Sequence, residues 1–383
     1  MRKITSLILS ILLLLCGCTA SPQPTAPQEN TNTTPQIAAV WIYYNELSMK
    51  EENGGTEESF RVKIEKMFTD CAAMGVNTVF VQVRPFSDAF YPSELFPWSA
   101  YLTGTQGKKV DYDPLKIMVE IGHSKNLSVH AWINPFRVSL DGDKEKLSAD
   151  NPALKCTDKK SVVETNGGIY YSPASPEAQK LVLDGVREIV DNYEVDGIHI
   201  DDYFYPSTDA AVDKAYYDEY RKNGGESELD EWRLHTISAF VSQMYDTVKS
   251  LDSQCIFSIS PAGNIHNNYT QQYADVKLWC SQRGFADWMI PQLYYGFDSE
   301  KLPFDEACDA WSKLDTIGAV KMIYGIAAYK VNSDDNEWKT GTGIIDKQRT
   351  YAKNTGNCYG FSYFSYAHLV DEEKSAEFKN IGA

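Results

Sequence analysis

Apolar runs with the character of buried strands alternate with amphipathic, helix-like segments from residue 37 onwards. The strand-like runs lie at 37–44, 77–84, 128–137, 195–204, 254–261, 286–295, 320–329 and 359–366. After the first run, Phe60, Ile64 and Met67 recur at three- and four-residue spacing, which predicts one face of a helix. Ser175 and Pro176 are the residue types of a helix N-cap and first helical position. Apolar strands that alternate with helices indicate a parallel sheet covered on both faces.

Eight such units predict an α/β fold of the (β/α)8 TIM-barrel type, formed as a single domain by residues 37–383. The chain of 383 residues is long enough, since such a barrel takes about 250 residues. The competing fold, a doubly wound open sheet, usually has a glycine-rich phosphate loop after its first strand. The segment WIYYNELS contains no glycine at that place.

The first 18 residues have the pattern of a processing segment. Arg2 and Lys3 precede a short apolar run, and the ending LCGC resembles a bacterial lipobox. That resemblance implies cleavage before Cys18 and a lipid on this residue. The apolar run is short for a membrane span, and residues 19–36, rich in Pro, Thr, Gln and Asn, predict a disordered tether. We therefore expect a monomer outside the cytoplasm, held at a membrane by its N-terminal lipid.

The charge and the cysteines exclude some classes of function. A formal charge of -17 and a pI near 4.8 argue against nucleic acid, whose binding depends on Lys and Arg at phosphates. The cysteines after Cys18 are widely scattered, with no CxxC pair and no zinc spacing. We expect buried thiols, although an extracytoplasmic location permits a disulfide.

The stretch VDGIHIDDYFYP, residues 195–206, reads as a buried strand that ends in two carboxylates. Side chains alternate along a strand, so His199 and Asp201 face away from Ile198 and Ile200. An ionised Asp is costly to bury unless it is paired or opens onto solvent, which indicates a site at the strand's end. Asp202 would point to the opposite face of a regular strand, and its alternative role is to cap the next turn.

The same alternation on the other strands gives one aliphatic face and one face that becomes polar towards the carboxyl end, where barrel active sites lie. The polar residues are Arg84, His130, Asn134, His199, Asp201, Gln292 and Tyr294. Singly, each has a structural explanation: an ion pair for Arg84, a satisfied core histidine for His130, a loop contact for Gln292. Their convergence at strand ends favours a site that binds substrate.

An alternative interpretation of this cluster is a metal site, because His130, His199 and Asp201 are possible ligands. No HxH or HExxH spacing occurs in the chain, and a neighbouring Arg84 would oppose a bound cation. We therefore expect neither a metal nor another cofactor.

Motifs at successive strand ends resemble the bacterial glycosyl-hydrolase-like family 10 lipoproteins. They are VWIYY, VFVQVRPFSDAFYPS, HAWINPFR, YYSPASPE, VDGIHIDDYFYP, SISPAG, WMIPQLYYGF, GIAAYK and GFSYFSY. This resemblance implies a TIM barrel, glycoside hydrolysis and a cell-wall glycan, in particular peptidoglycan strands lacking stem peptides. DGIHID is also similar to the fourth-strand motif of the alpha-amylase clan. Asp201 matches that clan's catalytic Asp, whereas His199 stands where the clan has Arg.

Glycosidases generally need two carboxyl groups, one of them a proton donor. Asp201 is the expected charged partner, because Arg84 and the imidazoles would lower its pKa. The fifth strand, SISPAG, has no Glu where the amylase clan has its acid. Asp202 is the first candidate donor and Glu164 the second, followed by Asp88, Glu94 and Asp298.

Aromatic residues at the strand ends and one long loop complete the predicted cleft. Tyr203, Tyr294 and Tyr329 could stack on sugar rings, although packing explains each equally well. The loop from residue 207 to residue 230 would form a wall of the cleft or, alternatively, a solvated excursion.

Two further functions stay open. A non-catalytic glycan-binding lipoprotein is favoured by the missing acid on the fifth strand, whereas the cluster of ionisable groups favours the hydrolase. A polysaccharide deacetylase would require the metal that the spacing argues against.

Overall fold

The computed structural model describes residues 36–333, 335–378 and 381–382. The predicted signal peptide, the lipidated Cys18 and the tether up to residue 35 lie outside these residues. Within the described part, no helix is both long and apolar enough to cross a membrane.

Eight parallel strands close a barrel, and three short antiparallel strands form a separate sheet in one connection. The strands are β1 (Ile37–Ile42), β2 (Thr78–Arg84), β3 (Ser128–Ile133), β4 (Arg137–Ser139), β5 (Val162–Thr165), β6 (Gly168–Tyr171), β7 (Gly197–Ile200), β8 (Ile256–Ile259), β9 (Trp288–Met289), β10 (Lys321–Ile326) and β11 (Gly360–Phe364). Around the barrel they follow the order β1, β2, β3, β7, β8, β9, β10, β11, and β11 pairs again with β1. The predicted (β/α)8 barrel is confirmed.

Helices fill the connections between the barrel strands. They are α1 (Tyr44–Leu47), α2 (Glu57–Ala73), α3 (Ala100–Thr103), α4 (Pro114–Ser124), α5 (Pro152–Lys155), α6 (Pro176–Asn192), α7 (Lys214–Lys222), α8 (Leu229–Leu251), α9 (Ile265–Gln271), α10 (Val276–Ser281), α11 (Phe304–Ser312), α12 (Ile344–Asn354) and α13 (Tyr366–Leu369). Ser175 caps α6 as predicted, because its hydroxyl accepts a hydrogen bond from the backbone N–H of Ala178 at 3.1 Å.

The alternation along the strands separates two apolar cores. The aliphatic faces pack outwards against the helices, as Val79, Val81, Ile198 and Ile200 do. The barrel interior is built mainly from larger side chains: Ala39, Trp41, Phe80, Trp132, Trp288, Ile290 and Ile323. The predicted inner faces are thus confirmed for these strands, and aromatic rings close the barrel beneath its carboxyl end.

Arg84 departs from the predicted inner face. The register of β2 against β3 shifts between Gln82, which pairs with Trp132, and Arg84, which pairs with Ile133. The extra residue in β2 turns Arg84 outwards, because a bulge exchanges the faces of the residues that follow it. Its guanidinium lies 4.6 Å from the ring centroid of Phe96 and against α6, where any side chain on Gly185 would collide with it.

A buried ion pair anchors the long connection after β7. Arg233 of α8 donates from Nε and Nη2 to the two carboxylate oxygens of Asp213, at 2.7 and 2.6 Å. Both side chains are fully buried. The guanidinium also donates to the carbonyl of Thr208 at 2.9 Å and to the hydroxyl of Tyr273 at 2.8 Å. Its bonds to Thr208, Asp209 and Asp213 hold residues 207–230 in one conformation, and the bond to Tyr273 ties them to the segment after β8.

Candidate active site

A cavity of about 360 Å³ opens at the carboxyl ends of the barrel strands. The strand ends place polar side chains next to aromatic ones in its wall. The lining residues are Trp41, Tyr43, Tyr44, Gln82, Trp132, Arg137, Asp201, Asp202, Tyr203, Ser260, Gln292, Tyr294, Tyr329 and Phe364. This end of a barrel is where enzymes of the fold carry their active sites.

Asp201 and Asp202 both reach the cavity. Strand β7 ends at Ile200, and the backbone bends at Asp202, so the strict alternation of a strand no longer separates the two side chains. This is the departure from regularity that Asp202 needs in order to join its neighbour. Two adjacent carboxyl groups in one pocket repel each other when both are charged.

A chain of hydrogen bonds fixes the orientation of Asp201. The backbone N–H of Tyr44 donates to Oε1 of Gln82 at 3.2 Å, and Nε2 of Gln82 then donates to Oδ1 of Asn134 at 2.5 Å. The Nδ2 group of Asn134 therefore faces Asp201 and donates to its two oxygens at 2.7 and 2.6 Å. Because a backbone N–H can only donate, the direction of the whole chain is set, and Asp201 must accept.

The other polar contacts of Asp201 are donors as well. Nε1 of Trp132 lies 3.2 Å from Oδ2, and the backbone N–H of Tyr203 lies 3.4 Å from Oδ1. Burial is the largest effect and leaves the pKa of Asp201 raised, so the lowering expected from Arg84 and the imidazoles is not found. The positive charge of Arg137 and the donors act against burial and favour the charged form.

Asp202 has a poorer supply of donors. Its one side-chain donor among the described residues is Gln292, whose Nε2 lies 3.3 Å from Oδ1 and also donates to the carbonyl of Ser260 at 3.1 Å. Burial and the negative charge of Asp201 raise the pKa of Asp202 to about 7. The pKa of Asp202 thus lies near neutral pH, where a group can serve as a general acid, while Arg137 and the donors around Asp201 favour the charged form of that carboxyl.

Arg137 supplies a positive charge to the cavity, although it was not among the site residues predicted from the sequence. It follows Asn134 by three residues in HAWINPFR, and its Cζ lies 4.0 Å from the ring centroid of Tyr203. The detectable signal was its place at the end of the strand-like run 128–137, and in the structure it is the first residue of β4. Its predicted counterpart, Arg84, lies on the outer side of the barrel and does not line this cavity.

His199, predicted to bind substrate, does not line the cavity. The indole N–H of Trp41 donates to its Nε2 at 2.9 Å, so the proton of the neutral ring lies on Nδ1, 2.8 Å from Oγ of Ser258. The ring is fully buried against Phe80, with centroids 4.2 Å apart, and burial lowers its pKa well below the usual value. His199 is a satisfied core histidine that supports the cavity floor.

His130 likewise belongs to the barrel interior. It is fully buried and stacks on Trp288 with ring centroids 5.0 Å apart, while Nε2 lies 3.1 Å from Oγ of Ser128. Burial lowers its pKa to about 4. Gly197 is required beside it, because a β-carbon there would collide with the imidazole. His130, predicted to bind substrate, thus lies in the barrel interior and does not line the cavity, and its Nδ1 has no hydrogen-bond partner among the described residues.

The other candidate proton donors lie away from the cavity wall. Glu164 is exposed on β5 and pairs with Lys144 at 2.5 Å. Asp88 is buried beside a different depression, and Glu94 and Asp298 are exposed. None of residues 207–230, all of which the structure describes, lines the cavity, so the excursion does not form the predicted wall. A β-hairpin carries Glu164 outwards, which its position in the sequence did not reveal.

The predicted aromatic residues do lie at the cavity. Tyr203 and Tyr329 are 48% and 38% exposed, and Tyr294 packs edge-on against Tyr329 with centroids 5.8 Å apart. Other aromatic residues at the ends of β1 and β11, which the sequence did not predict for the site, complete the wall: Trp41, Tyr43, Tyr44 and Phe364. Their signal was the aromatic clusters at two strand ends, VWIYY and FSYFSY. Exposed rings around a polar floor suit the flat faces of sugars.

The chain is similar to bacterial proteins named as glycosyl hydrolases. The family model described as "Glycosyl hydrolase-like 10" matches residues 36–340. The chain is 36% identical to glycosyl hydrolase YngK of Bacillus subtilis (strain 168), over 89% of this chain and 70% of that protein. It is 29% identical to glycosyl hydrolase DigH of Escherichia coli (strain K12), over 90% of this chain and 88% of that protein.

Solved structures share the fold at low sequence identity. The glycoside hydrolase domain of PgaB (BpsB) from Bordetella bronchiseptica has a TM-score of 0.63 at 11% identity, covering 90% of this chain and 98% of that one. The catalytic domain of β-amylase from Paenibacillus polymyxa has a TM-score of 0.60 at 12% identity, with coverages of 90% and 97%. At such low sequence identity these structures share only the barrel fold, and the type of reaction depends on the residues in the cavity.

Proposed function

This chain belongs to the glycosyl hydrolase-like 10 family, and we propose that it is a lipid-anchored enzyme that cleaves peptidoglycan glycan strands outside the cytoplasm. Membership of the family makes it a glycoside hydrolase. The substrate, the lipid on Cys18 and the location are proposals, supported by the lipobox-like LCGC and by the resemblance of the strand-end motifs. The family also favours the enzyme over a non-catalytic glycan-binding protein.

The observation that carries the proposed mechanism is the unequal pair of carboxyl groups in the cavity. Asp202, with its pKa raised to about 7, protonates the glycosidic oxygen as its bond to the anomeric carbon breaks. Asp201, held by three donors, stays charged and meets the positive charge that develops on the sugar, either as nucleophile or as base for a water. Residues Asn134 and Gln82 hold Asp201 in place.

The aromatic wall supports a polysaccharide substrate. Tyr203 and Tyr329 offer exposed ring faces, and Phe364 and Tyr43 pack together with centroids 5.8 Å apart at another side of the cavity. Rings on several sides can stack on successive sugars while the polar floor binds hydroxyl and amide groups.

Product analysis tests the proposal. The full chain, purified in detergent, is incubated with peptide-free peptidoglycan strands and the products are identified by mass spectrometry. We expect shortened strands from the parent and a loss of about 10²- to 10⁴-fold in rate for Asp201→Asn and for Asp202→Asn. Asp150→Asn is the matched control, because its side chain is 83% exposed. Intact strands from the parent enzyme would refute the substrate, and full activity in Asp201→Asn would refute the mechanism.

A further inference from the structure

We infer that Arg137 binds a carboxylate carried by the substrate, so that the enzyme selects sugars with an acidic substituent. The inference deepens the proposed function and rests on it. Arg137 would thus determine which sugars the cavity accepts.

The side chain of Arg137 packs against aromatic rings but forms no ion pair with the described residues. It is 6% exposed and lines the cavity, with its guanidinium 4.0 Å from the ring centroid of Tyr203 and 5.4 Å from that of Phe86. Its Nε atom is buried and has no hydrogen-bond partner among the described residues. Within the same residues, no carboxylate oxygen lies within the 4.0 Å of an ion pair with it.

An unpaired guanidinium in a cavity calls for an anion. Arginine remains charged at any physiological pH, and a buried charge is costly unless it is paired. Among the described residues Asp201 forms no direct ion pair with Arg137, whose charge acts on both aspartates at longer range, and the oxygens of Asp201 accept from Asn134 and Trp132. A ligand can supply the direct partner that the described residues do not. The planar fork of N–H groups matches the two oxygens of a carboxylate.

The proposed substrate carries such a group. In a peptidoglycan strand without stem peptides, each muramic acid ring bears a lactyl ether that ends in a free carboxylate. When a stem peptide is attached, the same carbon is a neutral, bulkier amide. A guanidinium that pairs with the free carboxylate would therefore favour peptide-free strands over strands with peptides and over neutral strands of N-acetylglucosamine.

The test compares two substrates that differ only at this carboxyl group. Peptide-free strands with free lactyl carboxylates are compared with the same strands converted to methylamides, and kcat/KM is measured for each with the full chain in detergent. Since a charge-assisted hydrogen bond contributes about 1.5–3 kcal/mol, we expect the acidic strand to be favoured about 10- to 100-fold. Arg137→Gln should bring the ratio close to one, and Arg137→Lys should retain part of the preference.

The ratio cancels any effect of Arg137 on the two aspartates, which act equally on both substrates, and comparison of the parent with Arg137→Gln cancels the difference in size between the carboxylate and the methylamide. Arg283→Gln, at an exposed position, should leave the ratio unchanged. A parent ratio near one, or an equal loss on both strands in Arg137→Gln, would overturn the inference. If the parent cuts neither strand, the proposed substrate fails. Calorimetry with N-acetylmuramic acid and N-acetylglucosamine then decides the inference, because equal binding of the two sugars overturns it and preference for the acid, lost in Arg137→Gln, upholds it.

Discussion

A single amide nitrogen of Asn134 donates to both carboxylate oxygens of Asp201, at 2.7 and 2.6 Å. The backbone N–H of Tyr44 donates to Gln82, and Gln82 donates to Oδ1 of Asn134, so the amide N–H2 of Asn134 faces Asp201. Asn134 is therefore a positioning residue that also stabilises the charged form of Asp201.

Replacing Asn134 with Ala should shift the pH dependence of the enzyme as well as slow it. Loss of the donor raises the pKa of Asp201, so the limb along which activity rises with pH should move to higher pH. The rate at its optimum should fall about 10- to 100-fold, since a hydrogen bond to a charged group contributes about 1.5–3 kcal/mol. Profiles of kcat/KM against pH measure both effects. Asn267→Ala, at an exposed position, is the control, and an unmoved limb in Asn134→Ala would contradict the assigned role.

Asp202 should set the opposite limb of the same profile. Burial and Asp201 raise its pKa to about 7, and a general acid works only while it is protonated. Activity should therefore decline as the pH rises through about 7. In Asp202→Asn the residual activity should lack this decline, because the amide does not titrate. A decline that persists in the variant would assign the limb to another group.

The same raised pKa predicts a cost in stability at high pH. The unfolded Asp202 ionises near its usual value of 3.8, whereas the folded one keeps its proton up to about 7. Between these values the native state binds more protons, so the free energy of unfolding falls as the pH rises. Asp202→Asn removes this loss and should raise the melting temperature more at pH 8 than at pH 4. An equal change at both pH values would show that the pKa of Asp202 is not raised.

The ion pair between Arg233 and Asp213 should dominate the stability of the excursion after β7. Arg233→Met leaves a buried charge on Asp213 and should destabilise the protein by about 3–5 kcal/mol, measured by denaturant unfolding. Adding Asp213→Leu to that variant removes the orphaned charge and should recover part of the loss. Arg283→Met, at an exposed position, should have little effect. If Arg233→Met were as stable as the parent, the ion pair would not anchor the excursion.

The sequence by itself determined the barrel and the main direction of its side chains. Hydrophobic alternation is a local property, so it identified the eight strands, the outward Ile198 and Ile200, and the inward Phe80 and Trp132. It also placed Asp201 at a strand end, because the strand's apolar residues stop there. The cavity aromatics Tyr203, Tyr294 and Tyr329 followed from the same reasoning.

Only the tertiary structure decided which polar residues reach the cavity. A bulge against β3 turns Arg84 outwards, and a bend after β7 brings Asp202 in, and neither depends on the pattern within one strand. His199 faces inwards as alternation requires, yet Trp41 covers it and takes its hydrogen bond. Arg137 reaches the cavity from the start of β4, beyond the end of β3. Alternation along a strand determines which face of the sheet a side chain points to. Whether that side chain reaches the cavity depends on the register between strands and on rings that are distant in sequence.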